Sequence, residues 1–238
     1  MNVVVTGASS GIGKALCELL CTSKPNVKVL GIARNELVLK ELKSRYDGKF
    51  NYLVVDLSKL DSVYEVVDTV KSSLGYVDVL VNNAGFGIYK DVLSHEVKEV
   101  IDLVNVNFIT PILLTKELIR FMREGATVVN VITAGIYVLM CKLPIYGASK
   151  IALHYATEVL RRELRRKSIN VISVYPGIIK TEFHRRAGVD NVRGGIGADE
   201  VAKAIVKAIE KREKEVYIPR YLKVLKLLGP KLIPFPNA

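Results

Sequence analysis

The chain has 238 residues, half of them apolar, and a formal charge of +11 from 35 Lys and Arg against 24 Asp and Glu. That length can bury one sizeable core, so a single domain over residues 1–238 is expected, and no apolar run approaches the roughly 18 residues that a bilayer span requires. Cys17, Cys21 and Cys141 are too few for a disulfide framework and lack partners at zinc spacing, so neither a disulfide-stapled nor a metal-centred class is expected.

Val3-Val4-Val5 predicts a short strand ending at Thr6-Gly7, and Ile12, Leu16, Leu19 and Leu20 are spaced for one buried helix face. The opening residues therefore run into a strand rather than a secretory leader, and a cytoplasmic location is expected. A second strand is predicted from Val27 to Ile32, an amphipathic helix around Glu36 to Tyr46, and a strand at Tyr52 to Val55 that stops at Asp56. Ser58 can cap a helix running to about Ser73. Val77 to Val81 is the next strand, ending in Asn82-Asn83-Ala84-Gly85, and a helical region follows from about Ser94 to Met122, broken or kinked at Pro111. Thr127 to Ile132, Asn170 to Val174 and Val216 to Ile218 read as strands, with helices at Tyr146 to Arg166 and Ala198 to Arg212 between them. Apolar strands alternating with helices predict an α/β, Rossmann-type doubly wound parallel sheet of about seven strands, helices on both faces. In that layout ligands sit beyond the carboxyl ends of the strands, where their order reverses.

Five sequence breaks fall at those ends, and the first carries chemistry. Thr6-Gly7-Ala8-Ser9-Ser10-Gly11-Ile12-Gly13 joins the opening strand to a helix. Glycines there permit a tight turn and close approach of backbone to a diphosphate, and the helix's free N–H groups and dipole favour the anion. The second strand ends Ile32-Ala33-Arg34-Asn35, without the acid that would bind the ribose hydroxyls of NAD. Arg34 offers a fork of donors matched to phosphate, so NADP(H) is the preferred cofactor and NAD(H) the alternative. Asp56 can accept from the adenine amino group, or cap the following helix.

Tyr146 and Lys150 stand four apart at the start of a helix and project from one face. An ammonium beside a phenol stabilises the phenolate, and such a pair can exchange a proton with a substrate oxygen near neutral pH. With Thr6-Gly7-x-x-x-Gly11-x-Gly13, Asn82-Asn83-Ala84-Gly85, Tyr146-x-x-x-Lys150 and Pro176-Gly177 in that order, the chain resembles the short-chain dehydrogenase/reductase family over about residues 1–218.

The resemblance implies an oxidoreductase that interconverts a carbonyl compound and an alcohol. Asn107 matches the family's active-site Asn, which kinks its helix and helps hold a water beside the Lys. Asn83 matches the residue that ties the central strand to neighbouring backbone, and Thr181 the hydroxyl that orients the nicotinamide carboxamide. Thr133 stands where the family usually has Ser, keeping the hydroxyl and adding a methyl that restricts χ1. The implied catalytic set is Tyr146, Lys150, Thr133 and Asn107, with Ser149 pointing elsewhere. Implied cofactor contacts are Gly7, Ser9, Ser10, Gly11, Ile12 and Gly13 in the first turn, Arg34 after the second strand, and Asp56 and Leu57 after the third. Asn83, Ala84 and Gly85 follow the fourth strand; Pro176, Gly177, Ile179 and Thr181 lie near the lid, and Tyr146 and Lys150 complete the set.

Between Pro176 and Ala198, where the family keeps its substrate lid, stand His184, Arg185, Arg186 and Arg193, with Gly188, Gly194, Gly195 and Gly197 as hinges. Such a lid suits an anionic substrate or the cofactor phosphates, or is a solvated loop. Phe86, Tyr89, Ile136, Tyr137, Leu139, Met140 and Leu143 are expected to line an apolar pocket for a hydrophobic small-molecule substrate. Nine basic and three acidic residues fall between Lys203 and Ala238, and the tail at 220–238 is amphipathic. It is expected to cover the pocket or pack within a homodimer or homotetramer, in preference to a membrane surface. No nucleic-acid module accompanies the basic charge, so nucleic acid is not an expected partner. The competing reading is a dinucleotide-binding sensor or scaffold without turnover, which the triplet Tyr146, Lys150 and Asn107 disfavours.

Overall fold

The computed structural model describes residues 1–188, 194–229 and 233–234. Its first half comprises β1 (Asn2–Thr6), α1 (Gly11–Ser23), β2 (Lys28–Ala33), α2 (Glu36–Arg45), β3 (Phe50–Val54), α3 (Ser62–Ser73) and β4 (Val77–Asn82). There follow α4 (Val97–Val104), a π-helical turn (Asn105–Ile109), α5 (Thr110–Leu118), β5 (Met122–Val131), β6 (Val138–Leu139) and α6 (Pro144–Arg165). The remainder is β7 (Asn170–Pro176), β8 (Ile179–Lys180), α7 (Glu182–Ala187), β9 (Ile196–Gly197), α8 (Ala198–Lys211), β10 (Glu215–Ile218), α9 (Leu225–Leu228) and β11 (Ile233–Pro234).

Seven strands form one sheet in the order β10-β7-β5-β4-β1-β2-β3, every neighbouring pair parallel. Valines alternate between its faces. Val3 and Val5 pack with Leu16 and Leu20 of α1, Leu39 and Leu42 of α2, and Val201 and Ile205 of α8. Val4 faces the other way, onto Val63, Val66 and Val70 of α3, Leu114 and Leu118 of α5, and Leu164 of α6. Both faces are thus covered, which is why the middles of the central strands are largely apolar rather than alternating, and each fully buried valine contributes about 1.5 kcal/mol or more. Cys17 and Cys21 are buried in the first of these layers. No helix among the described residues is long and apolar enough to cross a membrane.

The strand order reverses between β1 and β4, and polar groups tie β4 to the layer on its other side. Asn82 Nδ2 donates to Asn130 Oδ1 (2.8 Å), and Asn130 Nδ2 donates to Thr157 Oγ1 (2.9 Å), linking β4, β5 and α6 inside the core. Losing the Thr157 hydroxyl leaves the buried Asn130 amide nitrogen without that partner, at about 1–3 kcal/mol. The network anchors α6, the helix that carries Tyr146 and Lys150.

Three local expectations are corrected. Ser58 caps no helix; its N–H donates to Asp56 Oδ1 (3.0 Å), its side chain is buried, and α3 starts only at Ser62 with Asp61 at its N-cap position. Pro111 does not break the helical region. It sits in the first turn of α5, into which the helical backbone runs on without interruption, and the irregularity is the π-helical turn just before it. Met122 already belongs to a strand, not to the preceding helix.

Candidate active site

The carboxyl ends of β1, β2, β4, β5 and β7 open onto one cleft of about 1760 Å³. At its floor, Gly7 (φ +71°) and Gly11 (φ +51°) adopt the left-handed backbone that glycine tolerates without strain. Gly13 is required for space: a Cβ there would lie 2.2 Å from the Gly7 carbonyl oxygen and 2.6 Å from Asn83 Nδ2. Gly13→Ala is therefore expected to destabilise the fold by about 1–3 kcal/mol, read as a drop in melting temperature, and to weaken dinucleotide binding in the same titration. Ser10 occupies the N-cap position of α1 but its side chain does not cap the helix, so first-turn N–H groups remain available to an anion. A glycine cradle with no room for Cβ, at an uncapped helix start in a cleft of this size, fits a dinucleotide diphosphate.

Asn83 secures that turn from the side. Its Nδ2 donates to the Thr6 carbonyl (2.9 Å), while the backbone N–H groups of Asn83 and Ala84 both donate to Thr6 Oγ1 (3.0 Å each). The Thr6 hydroxyl thus knits β1 to β4 at the reversal point. Nothing in the sequence marks Thr6 for this task, because its partners Asn83 and Ala84 lie far along the chain.

Arg34 is exposed at the rim, and Asp56 and Leu57 line the cleft beside it. Asp56 lines the cleft and caps no helix, since α3 starts at Ser62 with Asp61 at its N-cap position; its Oδ1 accepts instead from the Ser58 N–H in the turn after β3. Ser9, Ser10, Ile12, Ala84, Gly85, Pro176, Gly177, Ile179 and Thr181 line the same space. Gly13 and Asn107 do not; they stand behind its wall.

On the far side of the cleft, α6 presents Tyr146 and Lys150. Thr133 lies beside the phenol; its Oγ1 donates to the Pro176 carbonyl (3.3 Å) and accepts from the Gly135 N–H (3.1 Å). Lys150 is buried, donates from Nζ to the Val131 carbonyl (2.9 Å), and lies 5.9 Å from the centre of the Tyr146 ring. Burial pushes the ammonium down to about 8. The phenol runs against the simple expectation. Desolvation raises its pKa above the ordinary tyrosine value, the neighbouring Thr133 hydroxyl opposes that rise, and the expected lowering by Lys150 is not what governs it here.

Asn107 is fully buried in the π-helical turn. Its Oδ1 accepts from the Phe86 N–H (3.0 Å), and its Nδ2 donates to the Phe86 carbonyl (2.9 Å) and to Ser149 Oγ (3.1 Å). Both amide hydrogens are committed, so the side chain clamps the loop after β4 to α6. Ser149 points into this clamp and donates to the Tyr146 carbonyl (2.7 Å), away from the cleft.

The cleft's outer half is apolar, walled by Phe86, Tyr89, Met140 and Leu143 as expected. Ile136 and Tyr137 are not part of it; they are buried against Tyr175 and Tyr217, where the Tyr137 and Tyr217 hydroxyls meet at 2.8 Å. Leu139 is exposed outside the cleft. Their places are taken by Phe183 of α7 and by Tyr221, Leu222 and Leu225 of the C-terminal segment, which therefore covers the pocket. Phe183 packs on Tyr146 with ring centres 5.2 Å apart. Of the basic lid, Arg193 and the side chain of His184 lie outside the described residues, as do tail residues 230–232 and 235–238.

A doubly wound parallel sheet with a glycine-floored cleft at its reversal point defines a dinucleotide-binding protein. Residues 1–191 match the family described as short chain dehydrogenase, and the chain belongs to the short-chain dehydrogenase/reductase family, as an oxidoreductase whose cofactor is a nicotinamide dinucleotide. It is 31% identical over 239 residues to 3-ketodihydrosphingosine reductase of Bacteroides thetaiotaomicron, covering 98% of this chain and 85% of that one. It is 30% identical over 258 residues to NADPH-dependent 3-dehydrocapnine reductase of Ornithobacterium rhinotracheale, covering 99% and 90%. A metagenomic short-chain oxidoreductase solved in complex with NADP superposes with a TM-score of 0.76 at 26% identity, over 91% of this chain and 96% of that one.

Proposed function

We propose that the protein is an NADPH-dependent reductase of a ketone borne on a long aliphatic chain. The observation that carries this reading is one continuous cleft with Thr133, Tyr146 and Lys150 at its centre, a phosphate-suited glycine floor on one side and an apolar wall on the other. Relatives named for 3-ketodihydrosphingosine and 3-dehydrocapnine, each aligned over nearly the whole chain, support the substrate class. The C-terminal segment supports it too, since Leu222 and Leu225 add apolar side chains to the lining of the cleft.

The dinucleotide, when bound, supplies the hydride. The chain's own groups do the rest. Thr133 Oγ1 and the Tyr146 hydroxyl donate to the substrate oxygen and hold the carbonyl in place. The phenol then gives up its proton as negative charge develops on that oxygen. Lys150, one helical turn along, stabilises the phenolate so formed and returns a proton through solvent. Asn107 positions the reacting pair by holding α6 against the Phe86 loop, and supports the proton return from the side facing Lys150.

Arg34 is the basis of the NADPH preference. It is exposed at the end of β2, next to Ala33, and carries no acidic neighbour in the β2–α2 turn. The test is steady-state oxidation of NADPH and of NADH against a series of 3-keto compounds of increasing chain length. Turnover is expected with NADPH, with kcat/KM rising with chain length. Arg34→Ala is expected to raise KM for NADPH by roughly 10- to 100-fold, the value of a charge-assisted hydrogen bond, and to leave KM for NADH nearly unchanged. A strong NADH preference, or flat rates across chain lengths, overturns the corresponding half of the proposal.

A further inference from the structure

We infer that Arg186, on α7, is a binding residue for the dinucleotide's diphosphate, and that through it the cofactor holds the cover over Tyr146 in place. This rests on the reading that the glycine turn takes a dinucleotide.

Arg186 Nη1 donates to Ser10 Oγ (3.1 Å), joining α7 to the start of α1 across most of the chain's length. Ser10 is the residue whose hydroxyl leaves the first-turn N–H groups of α1 uncapped. Two sets of donors, a guanidinium and a helix start, therefore converge with a single serine hydroxyl between them. Neither can satisfy the other. An anion satisfies both, and a diphosphate offers oxygens enough to accept from the helix start and the guanidinium together.

The cations beside Arg186 and Ser10 in sequence have carboxylate neighbours. Arg185 is ion-paired with Glu182 on its own helix, and Lys14 lies 4.0 Å from Glu18. Among the described residues no carboxylate pairs with Arg186, which is exposed at the cleft edge.

The same short helix reaches the reacting groups. Thr181, just before it, faces Gly11, where an added Cβ would meet Thr181 Cγ2 at 3.2 Å. Phe183 packs on the Tyr146 ring, and the Ala187 carbonyl accepts from the Tyr89 N–H (2.9 Å) on the loop after β4. A group that draws Arg186 toward the glycine turn therefore fixes α7, and with it Phe183 over the phenol.

Calorimetric titration of NADPH and of ADP-ribose into the wild type, Arg186→Ala and Arg186→Lys tests this. ADP-ribose carries the diphosphate but neither the nicotinamide nor the 2′-phosphate. Arg186→Ala is expected to weaken both ligands by roughly 10-fold or more, with partial recovery in Arg186→Lys, since a lysine keeps the charge but not the fork. Amide exchange over residues 182–187 is expected to slow when ADP-ribose binds the wild type, and not in Arg186→Ala at matched saturation. Unchanged ADP-ribose affinity in Arg186→Ala overturns the diphosphate assignment, and equal slowing in both proteins overturns the coupling to the cover. A wild type that binds neither ligand brings down the underlying cofactor reading instead, which separates the two failures.

Discussion

Tyr146→Phe is expected to lower kcat for ketone reduction by about 10²- to 10⁴-fold while leaving dinucleotide affinity nearly unchanged. The substitution removes one oxygen and keeps the ring, so the packing against Phe183 and the backbone of α6 survive. What disappears is the hydroxyl donor beside Thr133 and the proton that the nascent alkoxide requires. Burial holds the phenol protonated well past neutral pH in the ligand-free protein, which suits an acid and opposes a base. Reduction should accordingly be supported at neutral pH, and should fade as pH rises through about 8, where the buried Lys150 loses the charge that stabilises the phenolate. Single-turnover hydride transfer, compared with titrated NADPH affinity for both proteins, makes the measurement. Equal single-turnover rates would remove Tyr146 from the chemistry.

The second large effect separates stability from activity. Lys150→Met is expected to abolish most turnover and at the same time raise the melting temperature of the ligand-free protein at pH 7. Lys150 is only 3% exposed and its ammonium is pushed from 10.5 down to about 8, which at 1.36 kcal/mol per pKa unit corresponds to a cost of roughly 3 kcal/mol for keeping it charged. Losing the hydrogen bond to the Val131 carbonyl offsets about 1 kcal/mol of that relief. The net gain of about 2 kcal/mol predicts a rise of several degrees in a chain of this size. Its pH dependence has a definite sign. Between about 8 and 10.5 the unfolded chain holds a proton on this lysine that the folded chain has released, so wild-type stability climbs with pH in that window. The variant lacks that climb, and its advantage should shrink as pH rises from 7 toward 10. A melting temperature below the wild type at pH 7 would contradict the view of Lys150 as a buried charge kept at a cost for its function.

Much of the architecture was legible along the chain because its signals are local. Uninterrupted valine runs mark strands buried on both faces, and Leu16, Leu19 and Leu20 mark a helix face, whatever lies opposite them. The glycine turn was legible for the same reason: Gly7 and Gly11 are needed for backbone angles, a requirement of a few consecutive residues. Helix starts were less so. Ser58 looks like a cap because capping residues also favour turns, and here its N–H is taken by Asp56 before α3 begins. Gly13 shows the boundary well. Its spacing in the turn is a sequence property, but the reason no side chain fits is Asn83, delivered from the end of another strand.

By itself, then, the order of residues determined the strand–helix alternation, the doubly wound class, the anion-suited turn and the tyrosine–lysine pair, because each is set by residues within a few turns or pleats of one another. Tertiary structure decided everything that depends on groups distant in sequence meeting in space. Burial from all sides, not the neighbouring ammonium, governs the Tyr146 proton. Packing of Tyr137 on Tyr175 and Tyr217 drew it into the core, and left its expected place in the pocket to Leu222 and Leu225 from the C-terminal segment. The bond from Arg186 to Ser10 likewise exists only because all the strands run parallel, so that the segments after β1 and β7 emerge at the same end of the sheet, and a composition of basic residues carries no information about that placement.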